Sequence, residues 1–139
     1  MVSDSEIWVF DALARPGILD EIRRVLVSAW QANPGVPRSI RSEVEIATSE
    51  IAANIVEHAG MGRAVHLRME VAVLFDEVQV RFIDDGHEVD VDLASVHLPD
   101  DMAERGRGLA VARAVLRQLS YQRLTDGNCW TLLSERFKS

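Results

Sequence analysis

The alternation of apolar and polar positions divides the chain into nine segments. Residues 6–13, EIWVFDAL, alternate and are rich in strand formers, which predicts a first strand. Arg15-Pro16-Gly17 turns the chain. Ile18, Ile22, Val25, Leu26, Ala29 and Trp30 then mark the buried side of a helix over 18–32 that Asn33-Pro34-Gly35 breaks. Pro37 suits the mouth of a second helix, with Ser39 or Ser42 as its cap. This helix runs through RSEVEIATSEIAANIVEHAG (41–60), where Val44, Ala47, Ile51 and Ile55 keep the spacing of a buried face and Gly60 and Gly62 offer C-caps. The period then changes to two. Val65, Leu67, Met69, Val71 and Val73 point one way along a strand over 64–75. Asp76-Glu77 turns, and Val78, Val80, Phe82 and Asp84 alternate along its hairpin partner. Asp84-Asp85-Gly86-His87 ends the pair, and the acidic stretch 90–104 reads as a loop with one short helical turn. Arg105-Gly106-Arg107-Gly108 leads into a helix over 109–119. A strand at 120–124, a turn at Thr125-Asp126-Gly127-Asn128 and a strand at 129–137 close the chain.

Two hairpins, a leading strand and three helices without strict βαβ alternation predict an α+β two-layer sandwich with helices on one sheet face, not a doubly wound sheet. No G-x-G-x-x-G follows the first strand, and no Walker A motif is present. At 139 residues the expectation is one domain, 1–139, with its core over 5–137. The formal charge of −7 argues against non-specific binding to nucleic acid or to an anionic membrane. Cys129 is the single cysteine, so no internal disulfide can form and a structural zinc site is disfavoured. No apolar run approaches the roughly 20 residues that span a bilayer. The acidic start, MVSDSEIWVF, lacks the basic region of a signal peptide, and the expected location is cytoplasmic.

Three motifs carry candidate chemistry. Glu50, Asn54 and Glu57 stack along one line of the second helix. A carboxylate one turn from a carboxamide can hold a cation or place a water beside one, and the same stripe equally describes a solvated helix face. Asp84-Asp85-Gly86 suits a ligand-facing loop or a plain turn. Gly106 and Gly108 suit a simple helix start, or one whose free backbone N–H groups meet a phosphate.

Taken in order, E-x-x-x-N on a helix, an apolar strand ending in D-x-G, an acidic loop and R-G-R-G-L opening a helix, the pattern resembles the N-box, G1 box and G2 box of the GHKL ATPases, the superfamily of gyrase B, MutL and the histidine kinases. Within it the chain looks most like the anti-sigma-factor serine kinases of the RsbW/SpoIIAB type. The stretches that carry this are SEIAANIVEHAG, VRFIDDGHEVD, ERGRGLAVARAVLRQLSY and DGNCWTLL. The resemblance implies a Bergerat fold with a mixed, mostly antiparallel sheet.

It also implies roles. Glu50 would be the general base and Asn54 the protein ligand to Mg²⁺. Asp84 would accept the N6 hydrogen of adenine, and Gly86 would let the ring approach the backbone. Arg105, Gly106, Arg107 and Gly108 would wrap the phosphates of ATP, with Leu109 starting the helix behind them. Thr131 would bring a hydroxyl near the adenine, and 90–104 would form a lid. Glu88 stands where the family's G1 box carries its second glycine, which brings a negative charge toward an anionic ligand. His58 reads as a locally bonded helix-end residue or a phosphate contact, and Trp8, Trp30, Trp130 and Cys129 as packing residues. The function implied is a bacterial protein serine/threonine kinase and anti-sigma factor. It would act as a homodimer on a STAS-domain anti-anti-sigma factor and hold a sigma factor inactive, with no direct nucleic-acid contact. The alternatives are a partner-binding module with weak or no nucleotide binding, favoured by Glu88, and a switch kinase acting on a larger STAS scaffold.

Overall fold

The computed structural model describes residues 7–59, 63–89 and 104–138. Among these residues five strands form one sheet: β1 (Ile7–Leu13), β2 (His66–Val73), β3 (Val78–Asp84), β4 (Gln118–Leu124) and β5 (Gly127–Leu133). Their spatial order is β1-β2-β3-β5-β4, and all four pairings are antiparallel, so the mostly antiparallel sheet expected is antiparallel throughout. Three α-helices among the described residues accompany it: α1 (Ile18–Ala32), α2 (Arg38–Asn54) and α3 (Glu104–Val115).

Period two decides which sheet face is covered. Leu67, Met69 and Val71 of β2, Val78, Val80 and Phe82 of β3, and Trp130 and Leu132 of β5 are buried in register with one another. Ile18, Ile22, Leu26, Ala29 and Trp30 of α1 join them, as do Ile40, Val44, Ala47 and Ile51 of α2 and Leu109 and Ala112 of α3. The intervening positions, Arg68, Glu70, Gln79, Arg81 and Thr131, face away from the helices. Burying one face of a sheet under helices yields the two-layer sandwich. The indole N–H of Trp30 donates to Glu45 Oε2 at 2.8 Å and clamps α1 to α2.

Several boundaries differ from expectation. α2 does not continue as α-helix to Gly60: after Asn54 the chain widens into a π-helical turn, Ile55–Ala59. Pro37 is its N-cap in extended conformation, and no side chain caps the end, so neither Ser39 nor Ser42 does so. α3 starts at Glu104, so Arg105, Gly106, Arg107 and Gly108 form its first turns instead of preceding it. It stops at Val115, because Leu116 and Leu119 are buried on the way into β4. β2 is shorter than 64–75, and β5 begins at Gly127 and ends at Leu133. The caps at Gly60 and Gly62 and the acidic stretch 90–103 lie outside the described residues, as does the side chain of His58.

Candidate functional site

The candidate residues stand on the last turns of α2, the first turns of α3 and the end of β3. α2 packs against α3, β3 and β5. Asn54 closes α2 at 7% exposure, immediately before the π-helical turn. Such wide turns recur at functional positions because they release backbone groups from the regular ladder. Asp84 closes β3 at 3% exposure on the same helix-covered face.

Asp84 is held from two sides. Its Oδ1 accepts the Gly86 N–H at 2.8 Å and the Asn128 side-chain amide at 2.9 Å. Its Oδ2 is buried and accepts nothing among the described residues. Burial pushes the Asp84 carboxyl above its ordinary value, with Asp85 adding to the rise; the bonds from Asn128 and Gly86 and the nearby Arg123 oppose it. The amide nitrogen of Asn54 is likewise buried without a partner. Thr48 Oγ1 and Trp130 Nε1 are also unpaired, but those residues are wholly buried in the core. Of the four residues only Asn54 and Asp84 keep slight exposure, although the unpaired atoms themselves are buried, and a buried polar atom without a partner calls for one.

The loop after β3 is fixed by Asn128, which the sequence reading placed in a hairpin turn. Asn128 pairs with Asp84 across β3 and β5 and is fully buried. Its amide also donates to the carbonyls of His87 at 2.9 Å and Gly86 at 3.3 Å. Its carbonyl accepts from the Tyr121 hydroxyl and from Arg123 Nη1, and that arginine nitrogen in turn donates to the Gly86 carbonyl at 2.8 Å. The Val89 N–H donates to Tyr121 Oη at 3.0 Å. On the far side, the His66 N–H donates to Asp85 Oδ1 at 2.8 Å. Gly127 lets β5 come this close: a Cβ there would lie 2.1 Å from the Asp84 carbonyl oxygen. Its available signal was D-G-N, with the asparagine just inside a strand whose length sets it opposite Asp84.

Glu50 lies one turn before Asn54, half-buried. A Cβ on Gly108 would sit 2.6 Å from Glu50 Oε1, so the carboxylate rests against the start of α3 where that helix lacks a side chain. Among the described residues nothing hydrogen-bonds or pairs with the Glu50 carboxylate. Arg107, next to Gly108 in sequence, is exposed, and Leu109 is buried and anchors α3. Arg105 and Gly106 belong to the first turn of α3 by their backbone. Glu88 is exposed. Thr131 is not brought to Asp84: it pairs with Arg81 on the uncovered face, between the inward-facing Trp130 and Leu132.

The residues present suit a nucleotide carrying a cation. Asp84 Oδ2 offers a fixed acceptor for an exocyclic amino group, and Gly86 is a buried backbone with no side chain in the way. Among the described residues no three His, Cys, Asp or Glu side chains gather into a metal cluster. A magnesium ion here would therefore draw most of its six oxygens from phosphate and water, with Asn54 as the protein donor.

A family model described as a histidine kinase-like ATPase domain matches residues 12–133. No curated protein matches the sequence. Among solved structures, the RsbU and RsbW domains of Rv1364c from Mycobacterium tuberculosis superpose with a TM-score of 0.64 at 20% identity, over 94% of this chain and 32% of that one. The histidine kinase domain of the blue-light activated histidine kinase EL346 from Erythrobacter litoralis gives 0.56 at 14% identity, over 84% of this chain and 60% of that one. This chain thus spans about a third of the first structure and three-fifths of the second. At these identities the likeness is one of fold.

Proposed function

We infer function from the family, since the chain belongs to the histidine kinase-like ATPases over residues 12–133, and we propose that it is a protein serine/threonine kinase. It binds Mg-ATP and transfers the γ-phosphoryl group to a hydroxyl of a STAS-domain anti-anti-sigma factor. As an anti-sigma factor it also holds a sigma factor inactive, works as a homodimer and resides in the bacterial cytoplasm. The observation that carries the nucleotide part is the buried Oδ2 of Asp84, which accepts nothing among the described residues, at the end of β3 on the helix-covered sheet face.

Bound Mg-ATP supplies the phosphoryl group and the cation that offsets its charge. The chain supplies the rest. Asp84 accepts the adenine amino hydrogen, and Gly86 leaves room for the ring. Asn54 gives its carbonyl oxygen to the cation and its unpaired amide to a phosphate oxygen. Gly106, Gly108 and the first N–H groups of α3, with Arg105 and Arg107, hold the phosphates at the positive end of the helix. Glu50 accepts the proton of the attacking hydroxyl as its oxygen bonds to phosphorus and ADP departs. Thr131 has no part in this arrangement.

Glu88 favours a second reading, a partner-binding module without useful nucleotide affinity. Its exposure lets the charge turn to solvent and supports the kinase reading. The test mixes the protein with Mg-ATP and a STAS-domain protein from the same genome. Phosphoserine is expected, and it disappears in Glu50→Ala and Asn54→Ala. Tight partner binding without ATP affinity contradicts the kinase.

A further inference from the structure

β4 stands at the end of the strand order, yet two of its side chains reach the loop after β3. Tyr121 and Arg123 are two positions apart on that strand and pair with Trp130 and Asn128 of β5, so both lie on the helix-covered face. The Tyr121 ring packs on Trp130 with centroids 4.9 Å apart. Its hydroxyl accepts the Val89 N–H at 3.0 Å and donates its own hydrogen to Asn128 Oδ1. Arg123 Nη1 donates to that same oxygen at 3.2 Å and to the Gly86 carbonyl at 2.8 Å.

An asparagine amide is nearly the same shape when turned end for end, so its neighbours decide which way it points. At Asn128 they admit one setting. Its nitrogen meets only acceptors: Asp84 Oδ1 and the carbonyls of Gly86 and His87. The turned amide would set its oxygen against all of these, and its nitrogen against Arg123, which can only donate. Asp84 Oδ1 would then lose a donor and compete with Oδ2 for whatever ligand arrives.

We propose that Tyr121 and Arg123 are positioning residues for base selection: they hold the Asn128 amide with its nitrogen on Asp84, and so reserve Asp84 Oδ2 for the amino group of adenine. The inference rests on the nucleotide reading and deepens it by extending base selectivity to β4. Without the two donors the amide is free to turn. A carbonyl beside Asp84 favours the protonated carboxyl, whose hydrogen suits the carbonyl oxygen of guanine. Arg123 also acts through its charge, which opposes the rise that burial imposes on the Asp84 carboxyl.

The test measures Mg-ATP and Mg-GTP binding to the full chain by calorimetry, in the wild type, Tyr121→Phe, Arg123→Met and the two combined. Tyr121→Phe keeps a ring on Trp130, and thermal melts show which variants fold. Each single variant leaves Asn128 Oδ1 one donor, and its preference for ATP over GTP is expected to fall about threefold. The combined variant leaves it none, and a fall of about tenfold or more is expected. Tyr121→Phe with Arg123→Lys returns a cationic donor and is expected to recover part of the preference, which a merely steric role for β4 does not provide. A preference equal to wild type in the combined variant, or in both single variants where the combined one does not fold, overturns the proposal and leaves the nucleotide reading standing. A wild type that binds neither nucleotide, or both alike, removes the nucleotide reading at Asp84 and the proposal with it.

Discussion

The Asn128 side-chain amide donates to one oxygen of the Asp84 carboxylate, and the other has no partner among the described residues. The pair fixes the direction in which Asp84 accepts, because rotation of the carboxylate breaks the bonds from both Asn128 and Gly86. A carboxylate that is already oriented loses little entropy when a donor arrives.

Asn128→Ala removes that hold and strips the Gly86 and His87 carbonyls of the same amide. Leaving buried groups unsatisfied costs about 2–3 kcal/mol. The urea midpoint should fall accordingly, with adenine-nucleotide affinity falling beside it. A variant with wild-type stability would show that the network carries no weight.

Asp84→Asn separates stability from binding. Burial raises the folded-state pKa of Asp84, so protonation favours the fold. Its contribution is complete below the unfolded carboxyl value and is lost as pH rises through the raised folded value. At pH 7 the wild type therefore carries an unfavourable buried charge that the amide variant lacks. Thermal midpoints should be higher for Asp84→Asn at pH 7, with the gap shrinking as pH falls toward 4. Nucleotide affinity should drop by about 10- to 100-fold, the worth of a hydrogen bond to a charged acceptor.

Gly108→Ala and Gly127→Ala should behave differently although both positions are crowded. At Gly108 the obstacle is the end of the Glu50 side chain, which can swing away. Alanine also raises helix propensity by up to about 1 kcal/mol. Stability should hold or rise while phosphoryl transfer collapses. At Gly127 the obstacle is Asp84 backbone, which cannot yield cheaply. That variant should lose about 1–3 kcal/mol, read as a lower denaturation midpoint. Equal destabilisation in the two would contradict the assigned contacts.

Much of this arrangement is legible in the sequence, and the failures have local causes. The helix at 18–32 is bounded by Pro16-Gly17 and Asn33-Pro34-Gly35, and its ends are found as expected. β3 ends at Asp84 because alternation carries to that residue. Gly106 and Gly108 read as a helix boundary, yet α3 starts at Glu104 and holds both, because the helix formers around them tolerate glycine. Leu116 and Leu119 keep a helical spacing and extend the expected helix, yet they face the core from the approach to β4 and from β4 itself. The π-helical turn after Asn54 leaves no mark in a 3.6-residue pattern. Asn128 and Thr131 depend on register: three positions apart on one strand, they fall on opposite sheet faces, and only the pairing with β3 shows which one meets Asp84.

Titration calorimetry with Mg-ATP and Mg-GTP tests the central claim most directly. Adenine presents an amino donor where guanine presents a carbonyl oxygen, and Asp84 Oδ2 offers only an acceptor when ionised. The account predicts binding of Mg-ATP and at least about 100-fold weaker binding of Mg-GTP, a loss of roughly 3 kcal/mol. Equal affinity for the two, or no heat from either, would contradict it.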